Sequence, residues 1–240
     1  MIFELIEDTT KLALIVACLY FALGAYVRRK QPAWSAPLEK RRLVVLLVLV
    51  LAVSAIKVSE DVLGGESGPI DEAILVFIRG HVPRMLTGFF EAVTFTGSFS
   101  VLFPLATATT AALLFARRRF EALLLSASVI IGAIVVYVVK TAVGRVRPAL
   151  WETEWYWGSS FPSGHTLVVA AFATATVICV SRIWPAAHKF ALWIALIWIF
   201  LVGFSRLAIG VHWPTDVLAA ACIGAFLPLA MSVALELRRA

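Results

Sequence analysis

Two histidines, a carboxylate and four cations stand in three short polar stretches of a chain that is otherwise dominated by apolar runs. The stretch "KTAVGRVRP" supplies Lys140, Arg145, Arg147 and Pro148; "PSGH" supplies Ser163, Gly164 and His165; "SRLAIGVHWPTD" supplies Ser205, Arg206, His212 and Asp216. Each has an ordinary reading on its own. Lys140 and Arg147 read as cationic anchors at a helix end, Ser163 as a helix N-cap with His165 in the first turn, and His212 and Asp216 as a loop histidine and a first-turn acid after Pro214. Together they read as a phosphate site. Lys140, Arg147 and Arg206 supply fixed positive charge, and the backbone N–H groups of a helix beginning at Gly164 add an anion-binding end. The four-residue spacing of His212 and Asp216 lets the carboxylate accept from Nδ1–H and leaves Nε2 as a nucleophile. Phosphoryl transfer needs little beyond positioning and charge stabilisation, which this set provides. His165, His212 and Asp216 have the chemistry of zinc ligands, but the three neighbouring cations would repel a metal ion, so none is expected.

The elements that must position these residues are helices in a bilayer. The 240 residues are 61% hydrophobic and 15% charged, with a mean hydropathy of +0.93, far above the apolar share of soluble domains. A span needs about 20 mostly apolar residues, and stretches near 12–27, 43–58, 99–116, 121–139, 166–182, 190–204 and 217–236 come close to that length. The expected fold is all-α, a polytopic membrane helix bundle of about seven spans. The first stretch is read as a span, because its leader "MIFELIEDTT" carries Glu4, Glu7 and Asp8 where a secretion signal carries positive charge. Cys18, Cys179 and Cys222 fall in three different spans, where thiols serve as small apolar packers.

Charge sets the expected orientation. With the N-terminus outside, the inner segments hold 13 of the 21 Lys and Arg and three of the 15 acids, including Arg28 to Arg42, Arg117 to Arg119, Arg182, Lys189, Arg238 and Arg239. That is the asymmetry of cytoplasmic loops. The basic clusters are short and juxtamembrane, which fits topology signals or anionic lipids and not a nucleic-acid groove. All three polar stretches then face outward. Region 59–98 is the largest expected non-spanning segment, with an amphipathic piece lying in the outer interface. The loop "ALWETEWYWGSSF" gathers Trp151, Trp155, Tyr156 and Trp157, residues that favour the headgroup layer. No repeat or long linker separates two folded units.

The ordered trio Lys, six residues, Arg-Pro; Pro-Ser-Gly-His; Ser-Arg, five residues, His, three residues, Asp resembles the signature of the type-2 phosphatidic acid phosphatase superfamily, which includes bacterial lipid phosphate phosphatases. The motifs cover 140–216. The resemblance implies a six-helix membrane-embedded phosphatase core over 43–240, preceded by an additional N-terminal span and basic cytoplasmic loop over 1–42. It implies that Lys140, Arg147 and Arg206 hold phosphate oxygens, helped by Ser163 and the N–H of Gly164. His212 would form a phosphohistidine, Asp216 would fix its tautomer, and His165 would protonate the leaving oxygen and then activate water. No cofactor or metal is implied, so activity should survive chelation.

The expected activity is hydrolysis of the phosphate or pyrophosphate of a lipid at the outer face of a bacterial inner membrane, with the N-terminus and site extracytoplasmic and the C-terminus cytoplasmic. Candidate substrates are phosphatidic acid, phosphatidylglycerol phosphate, an isoprenyl pyrophosphate and a lipid A phosphate, with membrane lipids the other partners. Two rivals stand beside it: phosphotransfer to a second lipid on the same site, and a non-catalytic transporter, against which the scarcity of polar or broken midplane helices weighs.

Overall fold

The computed structural model describes residues 2–151 and 157–238; Trp155, Tyr156 and Arg239 lie outside the described residues. The chain folds into α1 (Ile2–Lys30), α2 (Ser35–Lys40), α3 (Arg42–Gly64), α4 (Gly68–His81), α5 (Thr87–Thr96), α6 (Phe99–Phe115), α7 (Arg119–Val143), α8 (Gly164–Ile183), α9 (His188–Ile209) and α10 (Pro214–Leu237), without strands among the described residues. Seven stretches of these are long and apolar enough to cross a membrane: 7–30, 42–64, 84–115, 119–143, 164–183, 185–209 and 214–237.

Two boundaries differ from the sequence expectation. The second span does not stop near 58 but runs to Gly64. Lys57 and Asp61 pair at 2.6 Å one turn apart, so the helix carries its charges past the expected end. Helix α6 begins at Phe99 as expected, but the apolar stretch continuous with it reaches back through α5 to Arg84. In α5 the one acid, Glu91, points outward, while Phe90 and Thr94 are buried against α9. Arg79, His81, Arg84 and Glu91, with Pro83 among them, made the segment before Phe99 look too polar to span. The expected non-spanning region 59–98 therefore shrinks to the α3–α5 connection that contains α4. That short helix buries Asp71, Leu75 and Ile78 and exposes Ile70, Ile74 and Phe77.

Helix α8 is the axis of the bundle. More than half of its apolar window is buried inside the protein (56%), against 6% for α1. Its interior is built from small residues, Ala170, Ala171, Ala173 and Ala175, which let neighbours approach closely. The tightest approach is to α10. A Cβ on Gly224 would lie 2.3 Å from the Leu167 carbonyl oxygen, so only glycine permits the two backbones to meet there. Against this axis pack α10, α9 and α7, with α3 packed on α10 and α1 on α3. The outer surface carries Phe21, Leu43, Phe115, Phe190 and Phe200 exposed, as lipid-facing residues must be.

The two ends of the bundle differ in kind. At the end where α7 begins and α8 and α10 finish, Glu236 accepts from Arg41 at 2.6 Å and from Arg182 at 2.9 Å, and Arg182 also pairs with Glu121 at 3.1 Å. This network ties four helix ends together. At the opposite end, α7 and α9 finish where α8 and α10 begin, and all three polar stretches lie there.

Candidate active site

The site is assembled from four helix termini. Helix α7 delivers Lys140 in its last turn and ends at Gly144 in a left-handed conformation (φ 65°). The chain then doubles back, and the Ser160 N–H donates to the Arg145 carbonyl at 2.7 Å. Helix α8 starts at Ser163, whose side chain does not cap the helix; its hydroxyl instead meets that of Thr166 at 3.0 Å. The ordinary N-cap reading of Ser163 does not hold: the hydroxyl is engaged elsewhere, so the first-turn N–H groups keep the anion-binding character of an uncapped end. Gly164 lies beside Lys140, a Cβ there falling 3.9 Å from Lys140 Cε. The Lys140 ammonium donates to the Ser159 carbonyl.

Helix α10 opens on "HWPTD" for local reasons. Pro214 occupies the first turn, where a missing N–H costs nothing, and the Asp216 carboxylate reaches back to accept the Trp213 N–H at 2.9 Å. The two starting turns are stitched together, because the Ser163 N–H donates to the Asp216 carbonyl at 3.2 Å. Asp216, fully buried, also accepts from the Ser160 hydroxyl and from Arg145 at 2.5 Å.

His212 is buried between Asp216 and Arg147. Its Nδ1 faces Asp216 Oδ2 at 3.4 Å and its Nε2 faces Arg147 Nη1 at 3.3 Å. A guanidinium has only donors, so the second contact is favourable only when Nε2 carries its lone pair. The proton then sits on Nδ1, toward the carboxylate. Arg147 is further anchored by donating to the Val211 carbonyl at 2.8 Å and the Trp157 carbonyl at 3.2 Å. Arg206, in the last turn of α9 and almost fully buried, is aimed by Thr94, whose hydroxyl it reaches at 2.7 Å. Arg206, His212, Lys140 and Arg147 all lie within electrostatic reach of His165. Gly164, His165 and Arg147 are the partly exposed members, so the site opens on that side.

Among the described residues, then, Lys140, Arg147, Ser163, Gly164, His165, Arg206, His212 and Asp216 gather at one end of the bundle. The sequence reading passed over Thr94, Ser160, Asp71 and the specific task of Arg145. No spacing signal links them to the motifs, because they arrive from other turns or other helices.

Burial holds the His212 imidazole well below its ordinary range; the Asp216 hydrogen bond opposes this, and Arg206 and Arg147 reinforce it. The sign of the linkage follows. The folded protein keeps His212 neutral, whereas the unfolded chain takes up a proton below about pH 6.5, so stability from this group is present above that pH and lost as pH falls, by up to about 1.4 kcal/mol per unit. Thermal unfolding in detergent should therefore fall more steeply from pH 7 to pH 5 for the wild type than for His212→Gln. Parallel slopes would show that His212 is not held neutral.

A family model described as the PAP2 superfamily matches residues 121–239, the segment that holds all eight site residues. Residues 121–239 form a PAP2 superfamily domain. Relatives within the superfamily differ in what their names say they act on. Phosphatidylglycerophosphatase B of Escherichia coli K12 is 38% identical over 73 residues, 30% of this chain and 27% of that protein. The chain thus spans about a quarter of the length of that relative. Lipid A 1-phosphatase of Rhizobium johnstonii is 28% identical over 170 residues, 64% of this chain and 66% of that protein. Among solved structures, a transmembrane PAP2 type phosphatidylglycerolphosphate phosphatase from Bacillus subtilis superposes with a TM-score of 0.68 at 26% identity, covering 80% of this chain and 96% of that one. The PAP2 fold of this chain is accordingly the all-helical membrane bundle described above.

Proposed function

We propose that this PAP2 protein hydrolyses the phosphate or pyrophosphate of a membrane lipid through a phosphohistidine on His212. The observation that carries the reading is the setting of the His212 ring, with Nδ1 toward Asp216 and Nε2 toward Arg147, beside Lys140, Arg206 and the start of α8. The Nε2 lone pair attacks phosphorus, forming a P–N bond as the P–O bond to the lipid breaks. His165, protonated once the negative phosphate offsets the cations around it, gives its proton to the departing oxygen. Asp216 faces the imidazole as it becomes positive, and Lys140, Arg147, Arg206 and the α8 N–H groups, with Ser163 beside them, bind the non-bridging oxygens. Neutral His165 then takes a proton from water as the water attacks phosphorus, the P–N bond breaks, and phosphate leaves.

The apolar girdle of the bundle supports a lipid substrate, since a site at its rim meets headgroups at their own depth. The names of the relatives support a phosphorylated lipid. The basic groups Arg28, Arg29, Lys30, Arg41 and Arg42 support a cytoplasmic reading of the opposite end, so the site is read as extracytoplasmic, with α1 and α2 an addition on the outside of the core.

The test is phosphate release by purified protein from phosphatidic acid, phosphatidylglycerol phosphate, an isoprenyl pyrophosphate and lipid A in mixed micelles, with and without EDTA. At least one lipid should yield free phosphate at a rate that the chelator leaves unchanged, because protein cations supply the charge. Transfer of label to a second lipid without free phosphate would instead identify a phosphotransferase, and loss of activity with EDTA would overturn the metal-free route.

A further inference from the structure

Arg145 stands between Gly144 and Arg147, yet its guanidinium is turned away from the phosphate cradle and joins two buried carboxylates. It reaches Asp71 Oδ2 at 2.6 Å and Asp216 Oδ1 at 2.5 Å, and both acids are fully buried (0% exposed). It also donates to the Thr215 hydroxyl at 2.9 Å and the Ser67 hydroxyl at 3.1 Å. Asp71 in turn accepts the Thr215 N–H at 3.0 Å and the Thr215 hydroxyl at 2.6 Å. Asp71 belongs to α4, outside the three motifs and outside the stretch matched by the family model.

We propose that Asp71 and Arg145 are positioning residues for His212: Arg145 holds one oxygen of Asp216 so that the other faces the imidazole, and Asp71 balances the charge of Arg145. The inference rests on His212 acting as the nucleophile. Its logic is electrostatic. Asp216 alone beside Arg145 is a neutral pair and offers little to an imidazole that gains positive charge on attacking phosphorus. With Asp71 on the far side of the guanidinium, the trio carries one net negative charge, and Oδ2 of Asp216, directed at Nδ1, is where the imidazole meets it. Burial makes that balance matter, because interactions are screened least where water is excluded. Neither residue touches the phosphate, so both should act on turnover and leave substrate binding alone.

The experiment measures kcat and KM for lipid phosphate hydrolysis by Asp71→Asn, Arg145→Gln and the double variant, with thermal midpoints in the same detergent. Asp71→Asn should lower kcat about tenfold and Arg145→Gln about a hundredfold, each with KM within about twofold of wild type. The double variant should be no slower than Arg145→Gln, since the charge that Asp71 balances is then gone. A merely structural role predicts the reverse: losses that track the thermal midpoint and add in the double variant. Should Asp71→Asn not accumulate folded, Arg145→Lys carries the test, with reduced kcat at unchanged KM expected and an unchanged kcat overturning the proposal. A wild type that releases phosphate and loses it in His212→Gln, while Asp71→Asn turns over at the wild-type rate, refutes this inference alone. A wild type that releases none, or a His212→Gln variant as active as wild type, refutes the reading beneath it.

Discussion

His212→Gln is expected to release no measurable phosphate from any lipid the wild type hydrolyses, a loss of at least about 10⁴-fold in kcat. Glutamine preserves polarity and roughly the volume of the ring, so the buried position between Asp216 and Arg147 remains filled. It removes the imidazole nitrogen that the proposed route bonds to phosphorus. A lesser group acting as acid, base or orienter leaves residual catalysis from the cations, whereas loss of the nucleophile closes the covalent route altogether. The measurement is phosphate release together with trapping of labelled protein in an alkaline detergent quench. Wild type should carry acid-labile, base-stable label, and the variant none. Turnover within about a hundredfold of wild type would remove His212 from the nucleophile's role.

Arg206→Met is expected to lower kcat/KM by about 10³-fold. The arginine is 1% exposed, stands in the last turn of α9 and lies within electrostatic reach of His165, His212 and Lys140. Methionine fills much of the same space without charge, so the loss reads the electrostatic contribution in a setting where water cannot replace it. Thr94→Val keeps the charge and removes the hydroxyl that aims it at 2.7 Å; about a tenfold loss is expected, on the order of one charged hydrogen bond. Steady-state kinetics on one lipid would compare the two. An Arg206→Met enzyme within tenfold of wild type would exclude this cation from the phosphate cradle.

The membrane bundle and its number of spans were legible in hydropathy alone, because lipid demands long apolar helices and little else satisfies their backbones. Limits were less legible. Lys57 and Asp61 cancel one another across a turn, so charge marked an end of α3 where none exists, and Arg79, His81, Arg84, Glu91 and Pro83 hid the apolar face of α5. At the site, Lys140, Arg147, His165, Arg206, His212 and Asp216 stood out because ionisable residues are costly in such a chain and sat at fixed spacings. Asp71 did not: in "GPIDEAILVF" it reads as a first-turn acid complementing a helix dipole. Its partner lies 74 residues away, and one sequence contains no sign of that pairing. Thr94, in an apolar run, looked like any β-branched residue.

The backbone contact between α8 and α10 at Gly224 has a consequence for how the protein waits for its ligand. Lys140, Arg147 and Arg206 repel one another, and side chains on yielding supports would spread apart until an anion arrived. That contact fixes the start of α8 against α10, and the α7 and α9 ends that carry Lys140 and Arg206 pack on α8, so the folded bundle bears the mutual repulsion. If these cations cradle phosphate as proposed, soluble oxyanions such as phosphate or vanadate should relieve it and act as thermal stabilisers.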